Sequence, residues 1–107
     1  MIQSFRDLQI WQKSMQLAVI VYRLTKDFPR EELYGLTNQL RRASVSIPSN
    51  IAEGHGRLND GHLRQFLATS RGSLFELQTQ LELATGMKLI EASGAASLMG
   101  SMKKWRE

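Results

Sequence analysis

The segment RRASVSIPSNIAEGHGR, Arg41 to Arg57, and the residues just after it hold most of the side chains capable of chemistry. Glu53, His55, Asp60 and His62 have the donor types of a metal site. They straddle a turn instead of recurring on one helix face, and no HExxH is present, so no bound metal is expected. The serines together with His55 and Asp60 offer the residue types of a Ser–His–Asp hydrolase, but nothing resembles a GxSxG elbow or an oxyanion hole. Gly54 and Gly56 flank His55 at the end of a helical pattern, where carbonyls project. A phosphate-cradling loop instead aims N–H groups from a helix start. The residues therefore point away from an enzyme: no catalytic residue, metal or cofactor is expected.

The same segment reads better as architecture. Leu36, Leu40, Ala43, Ile47 and Ile51 keep helical spacing straight through Pro48. Proline removes one backbone donor, clashes with the carbonyl four residues back, and disfavours helical geometry for the residue before it. Ser44, Ser46, Ser49 and Asn50 are placed to hydrogen-bond backbone groups at such a point. The expectation is a helix kinked at Pro48, with Gly54-His55-Gly56 as its closing turn and Asn50, Glu53, Gly54 and Gly56 in a structural motif.

The elements that must position this segment are all helical. The chain has 107 residues and is 42% apolar, enough for one domain spanning 1–107. Its periodicity predicts four helices: from Ser4 to about Lys26, from Glu31 or Glu32 to Glu53 or His55, from Asn59-Asp60 to about Thr85 with Gly86 as terminator, and from Ala92 to Arg106. The fold class is all-α, an antiparallel up-down four-helix bundle. Core stripes are expected at Leu8, Trp11, Met15, Ala18, Val19 and Tyr22 in the first helix. In the second they fall at Leu33, Leu36, Leu40, Ala43, Ile47 and Ile51, and in the third at Leu63, Leu67, Ser70, Leu74, Leu77, Leu81 and Ala84. The fourth offers Leu98, Met102 and Trp105. The longest uncharged stretch of the first helix, SMQLAVIVY, is far shorter than the ~20 apolar residues of a membrane span. Cysteine is absent, which fits a reducing cytoplasm and excludes thiol chemistry.

Opposite its expected core stripe the first helix carries Ile10, Leu17, Ile20, Val21 and Leu24, and the third helix adds Phe75 and Leu83. An apolar outer face marks an interface, so a homo-oligomer is expected through these residues. On this reading Leu17→Glu or Val21→Glu yields monomers or insoluble protein.

The net charge is +4, with five basic against two acidic residues in 1–30 and four against two in 87–107. That permits an acidic partner without a concentrated footprint. Arg41, Arg42, Arg57, Arg64 and Arg71 are the candidate phosphate contacts, with Lys103, Lys104 and Arg106 near the end. Repetition by symmetry would multiply them.

The stretches FRDLQIWQKSMQL, FPREELYGLTNQLRRASVSIPSNIAEGHGR and FLATSRGSLFELQTQLELA closely resemble the four-helix bundle proteins encoded in intervening sequences of bacterial large-subunit ribosomal RNA genes. The likeness covers nearly the whole chain, least of all the fourth helix. It implies a homopentamer of up-down bundles forming a short barrel. It is also distantly similar to accessory proteins of diversity-generating retroelements, basic pentamers that bind a reverse transcriptase and nucleic acid. The family offers no catalytic residues to carry over. The functional expectation is a non-enzymatic adaptor for RNA, DNA or a reverse-transcriptase-like protein; the alternative is a protein-interaction scaffold with no affinity for nucleic acid.

Overall fold

The computed structural model describes residues 4–56, 60–91, 93, 94, 97, 98 and 100. Among them are three α-helices and no strand: α1 (Gln9–Thr25), α2 (Leu36–His55) and α3 (Asp60–Gly86). Ser4 caps as expected, its hydroxyl accepting from the Arg6 N–H at 3.2 Å, and the Asp7 carboxylate accepts in return from the Ser4 N–H at 3.2 Å. This cap closes a single 3-10 turn, Phe5–Asp7, and α1 begins only after the extended Leu8. The acidic pair Glu31-Glu32 likewise sits in a separate 3-10 turn, Arg30–Glu32. Gly35 precedes α2 and has no side chain to cap it, so the Glu32 carboxylate accepts from the Leu36 N–H at 3.3 Å. Sequence signals for a helix start thus mark short turns here, and α2 starts later than expected. No helix among the described residues is long and apolar enough to cross a membrane.

The middle helix organises the packing. α2 lies against both α1 and α3, which have only marginal contact with each other. Its partners run in opposite chain order: the Ser70 hydroxyl donates to the Ile47 carbonyl at 3.1 Å, Ser73 to Ser46 at 2.8 Å, and Gly54 abuts Leu63 and Phe66. On the other side Arg41 reaches back to Thr25. Both pairs are therefore antiparallel. The core comprises Leu17 and Val21 of α1, Leu36, Leu40, Ala43, Ile47 and Ile51 of α2, and Leu74, Leu77, Leu81 and Ala84 of α3. Each large side chain buried there contributes about 1.5–3 kcal/mol.

The stripe expected on α2 from Leu36 onward, and that on α3 from Ser70 onward, are in the core. Leu33 lies outside α2 and is exposed, and Leu67 is exposed. The expected face of α1 is the larger error. Leu17 and Val21, assigned to an oligomer surface, are 2% and 1% exposed, while Met15, Val19 and Tyr22, assigned to the core, are 41%, 47% and 45% exposed. The buried line is Ser14, Leu17, Val21 and Thr25. Its two polar members satisfy themselves within the helix, Ser14 donating to the Trp11 carbonyl at 2.8 Å and Thr25 to the Val21 carbonyl at 2.8 Å. A hydroxyl so occupied is buried at little cost. The neighbouring line through Met15, Val19 and Tyr22 is apolar as well, so spacing alone does not separate the two.

α3 ends by a device other than its glycine. Lys88, at φ 62°, is the left-handed residue; its N–H donates to the Thr85 carbonyl at 3.0 Å and that of Leu89 to the Ala84 carbonyl at 2.9 Å. This is a Schellman arrangement, and Leu89 packs back on the core as such ends require. Beyond it Ser93, Gly94, Ser97, Leu98 and Gly100 are helical, and Leu98 packs against the core. The remaining expectations for that segment, including Met102 and Trp105, fall outside the described residues.

At Gly54 a Cβ would stand 2.9 Å from the Cβ of Phe66 and 3.3 Å from Leu63 Cδ1. Since Phe66 Cβ is fixed to its backbone, Gly54→Ala must push α2 from α3. It is expected to cost about 1–3 kcal/mol, read as a lower urea midpoint at unchanged slope; an unaltered midpoint would show that the two helices are not held at that separation. Leu17→Glu and Val21→Glu place a carboxylate in the core and are expected to unfold the single chain, as circular dichroism would register; retained helicity would refute their burial.

Candidate interaction surfaces

The sequence around Pro48 folds as an unbroken helix, with Pro48 buried inside α2. Its polar neighbours are engaged as expected. Ser49 donates to the Val45 carbonyl at 2.8 Å, Ser44 to the Arg41 carbonyl at 2.9 Å, and Asn50 Nδ2 to the Ser46 carbonyl at 2.8 Å and hydroxyl at 3.0 Å. The Ser46 hydroxyl accepts in turn from Ser73, and Ser70 reaches the Ile47 carbonyl, so the network extends into α3. Gly54 is buried at the same interface, Gly56 caps α2, and Glu53 is exposed. The motif is thus a seam joining two helices. His55 and His62 are exposed, and no group of three or more His, Asp or Glu able to hold a metal occurs among the described residues.

The candidate phosphate-binding arginines are dispersed. Arg42, Arg64 and Arg71 are exposed, and Arg57 lies outside the described residues. Arg64 is near the level of Gly54, so Arg42 stands on the order of 18 Å away along the bundle at the helical rise. Arg71 lies over the Phe75 ring, 5.6 Å from its centroid. Arg41 is different. Its Nε donates to Thr25 Oγ1 at 2.9 Å and its guanidinium carbon stands 4.7 Å over the Tyr22 ring, pinning it between α1 and α2. Among the described members of the set, Arg41 is thus held at the α1–α2 boundary, apart in setting from the exposed Arg42, Arg64 and Arg71.

The apolar surface is more concentrated. Ile10, Ile20, Phe75 and Leu83 are exposed as expected, at 40%, 41%, 37% and 55%, and Leu24 is half-buried. The face of α1 assigned to the core instead forms one wall of an outer groove of about 570 Å³, with Trp11, Met15, Val19 and Tyr22 opposite Val45, Pro48 and Ala52 of α2. A second, smaller cleft opens where the three helices converge, between Ile10, Ile47, Ile51, Leu67 and Leu74. The signal for the outer groove was present in the sequence: α1 is apolar on two sides, and only one can face α2.

The sequence model of the 23S rRNA-intervening sequence protein family matches residues 6–107, and the chain belongs to that family. No curated protein matches it.

The unequal settings of adjacent arginines give a direct check. Arg41→Ala removes a hydrogen bond and a cation–ring contact and is expected to cost about 1–2 kcal/mol, whereas Arg42→Ala should stay within about 0.5 kcal/mol of the parent. Equal melting temperatures for the two variants would mean that the Arg41 contacts contribute nothing to stability.

Proposed function

We propose, with membership of the 23S rRNA-intervening sequence protein family as the premise, that this chain is a non-enzymatic, self-associating helical adaptor. Its partner is nucleic acid or an enzyme acting on it, such as a reverse transcriptase. The observation that carries the self-association is the apolar surface of α1 on both flanks of its buried line: Met15, Val19 and Tyr22 on one, Ile10 and Ile20 on the other. Extensive exposed apolar surface marks an interaction site. Phe75 and Leu83 on α3 supply a further apolar face for a neighbouring copy, and the family resemblance implies five copies. Residues 92–106 complete the subunit as a fourth helix, for which the helical Ser93, Gly94, Ser97, Leu98 and Gly100 are the support. Pro48 bends α2, because the ring displaces the Ser44 carbonyl from ideal geometry.

Nucleic acid is bound through phosphates, without base reading, by Arg42, Arg64 and Arg71 with Arg57. Each subunit contributes a sparse set, and self-association multiplies it into a multivalent surface. The setting is the cytoplasm, in keeping with a chain that has no cysteine. The outer groove favours a second reading, a protein-interaction scaffold without nucleic-acid affinity, since its lining is almost wholly carbon.

Light scattering combined with a salt titration of RNA and DNA binding tests both readings. The adaptor predicts an assembly several times the 12.2 kDa chain mass, and micromolar binding that falls steeply with salt. Changing Arg42, Arg57, Arg64 and Arg71 to alanine should weaken that binding steeply and flatten its salt dependence without altering the assembly mass. Absence of binding at low salt sinks the nucleic-acid reading in favour of the scaffold, and a monomer in solution sinks self-association.

A further inference from the structure

We infer that the pocket between the end of α1 and the start of α2 is an oxyanion site that takes a phosphate group. It has a volume of about 260 Å³, and its polar lining is Thr25, Lys26, Arg30, Thr37 and Arg41. Three of those five are cations and no lining residue is acidic. The neighbouring Glu32 carboxylate is turned to the Leu36 N–H, and Asp27 and Glu31 are exposed.

Three further features fit an anion. Thr37 is 3% exposed, yet its hydroxyl has no hydrogen-bond partner. A buried hydroxyl without a partner is destabilising; Thr37 borders the pocket, and a turn of its side chain toward that space would give the hydroxyl an acceptor on an occupant. Arg41 is set in advance: Nε is held by Thr25 and the guanidinium is stacked on Tyr22. No described group takes a hydrogen bond from its two terminal nitrogens, which are the pair a phosphate accepts in bidentate fashion. Thr37 is also the second residue of the 20-residue α2, whose N-terminal end carries the positive partial charge of aligned peptide dipoles and whose cap residue, Gly35, offers no side chain. A phosphate, as a monoester or a diester, presents the paired oxygens that a guanidinium fork binds.

This assignment deepens the nucleic-acid reading and rests on it for the source of the phosphate, either a backbone phosphodiester or a small phosphate ester. The pocket adds Lys26, Arg30 and Thr37 to the residues singled out for phosphate contact, and it gives Arg41 a role distinct from that of the exposed arginines.

The test uses the full chain labelled with ¹⁵N. Inorganic phosphate is titrated at constant ionic strength, and a single-stranded RNA dodecamer without terminal phosphates is titrated separately. Saturable shifts of the Thr37 and Asn38 amides and of the Arg41 Nε–H are expected with phosphate. Thr37→Val should weaken phosphate binding at least fivefold while its melting temperature equals or exceeds the parent's, because a methyl replaces a hydroxyl with no partner. Arg30→Gln, at an exposed position, should weaken binding comparably with the fold intact. Unchanged phosphate affinity in both variants overturns the site, as does a lowered melting temperature for Thr37→Val, which would reveal a structural partner for the hydroxyl. Dodecamer shifts at the same three groups identify the ligand as backbone phosphate. Phosphate binding there with a silent dodecamer supports the pocket with a small phosphate ester as ligand and removes the nucleic-acid reading. Dodecamer binding that leaves Thr37 and Arg41 unshifted, with no phosphate response, overturns the pocket and leaves the nucleic-acid reading standing.

Discussion

Between Gly54 and Phe66 there is no space for a methyl group, and the seam between α2 and α3 is built around that closeness. Helices this near bring Ser70 within reach of a main-chain carbonyl on α2 and allow Ser73 to join Ser46 and Asn50. Those bonds need short side chains on both sides. Larger ones would separate the backbones and leave the hydroxyls stranded. The seam therefore couples a glycine, a proline and a run of serines that look unrelated along the chain. It also fixes α2 as the rigid centre to which α1 is added on the other side.

Much of this was legible from spacing. The uninterrupted stripe from Leu36 to Ile51 announced a helix that continues through Pro48, and the leucines of α3 from Leu74 to Leu81 announced its buried side. Those positions are apolar, regularly spaced and flanked by polar residues, so one periodic pattern dominates. In α1 two apolar lines compete, and the winning line contains Ser14 and Thr25, whose hydroxyls are satisfied by their own helix. Such local satisfaction is a property of geometry and has no signature in hydrophobicity. The termination of α3 was similarly hidden: Lys88 adopts a left-handed conformation with Gly86 only two residues away, because the carbonyls of Ala84 and Thr85 and the packing of Leu89 fix the turn.

The candidate surfaces divide in the same way. The exposed arginines were visible as residue types, but nothing in the sequence marks Arg41 as pinned by Thr25 and Tyr22 while its neighbour Arg42 faces solvent. Nor does the order of residues reveal that Thr37 is brought beside Lys26 and Arg30. That proximity arises from the reversal of the chain between two antiparallel helices, which places one helix start against another helix end. Surface function here is set by the connections, and the core by the stripes.

The two-sided character of α1 also bears on how its docking is specified. One residue step rotates a helix by about 100°, which exchanges the Ser14–Leu17–Val21–Thr25 line for the greasier one through Met15, Val19 and Tyr22. Hydrophobicity alone does not separate the two faces. The correct docking is distinguished by fit, through small hydroxyl-bearing residues that let α1 settle close to α2, and by the anchoring of Arg41 on Thr25. The orientation of α1 is thus specified by shape, whereas the α2–α3 seam, with one dominant pattern on each helix, has no comparable rival.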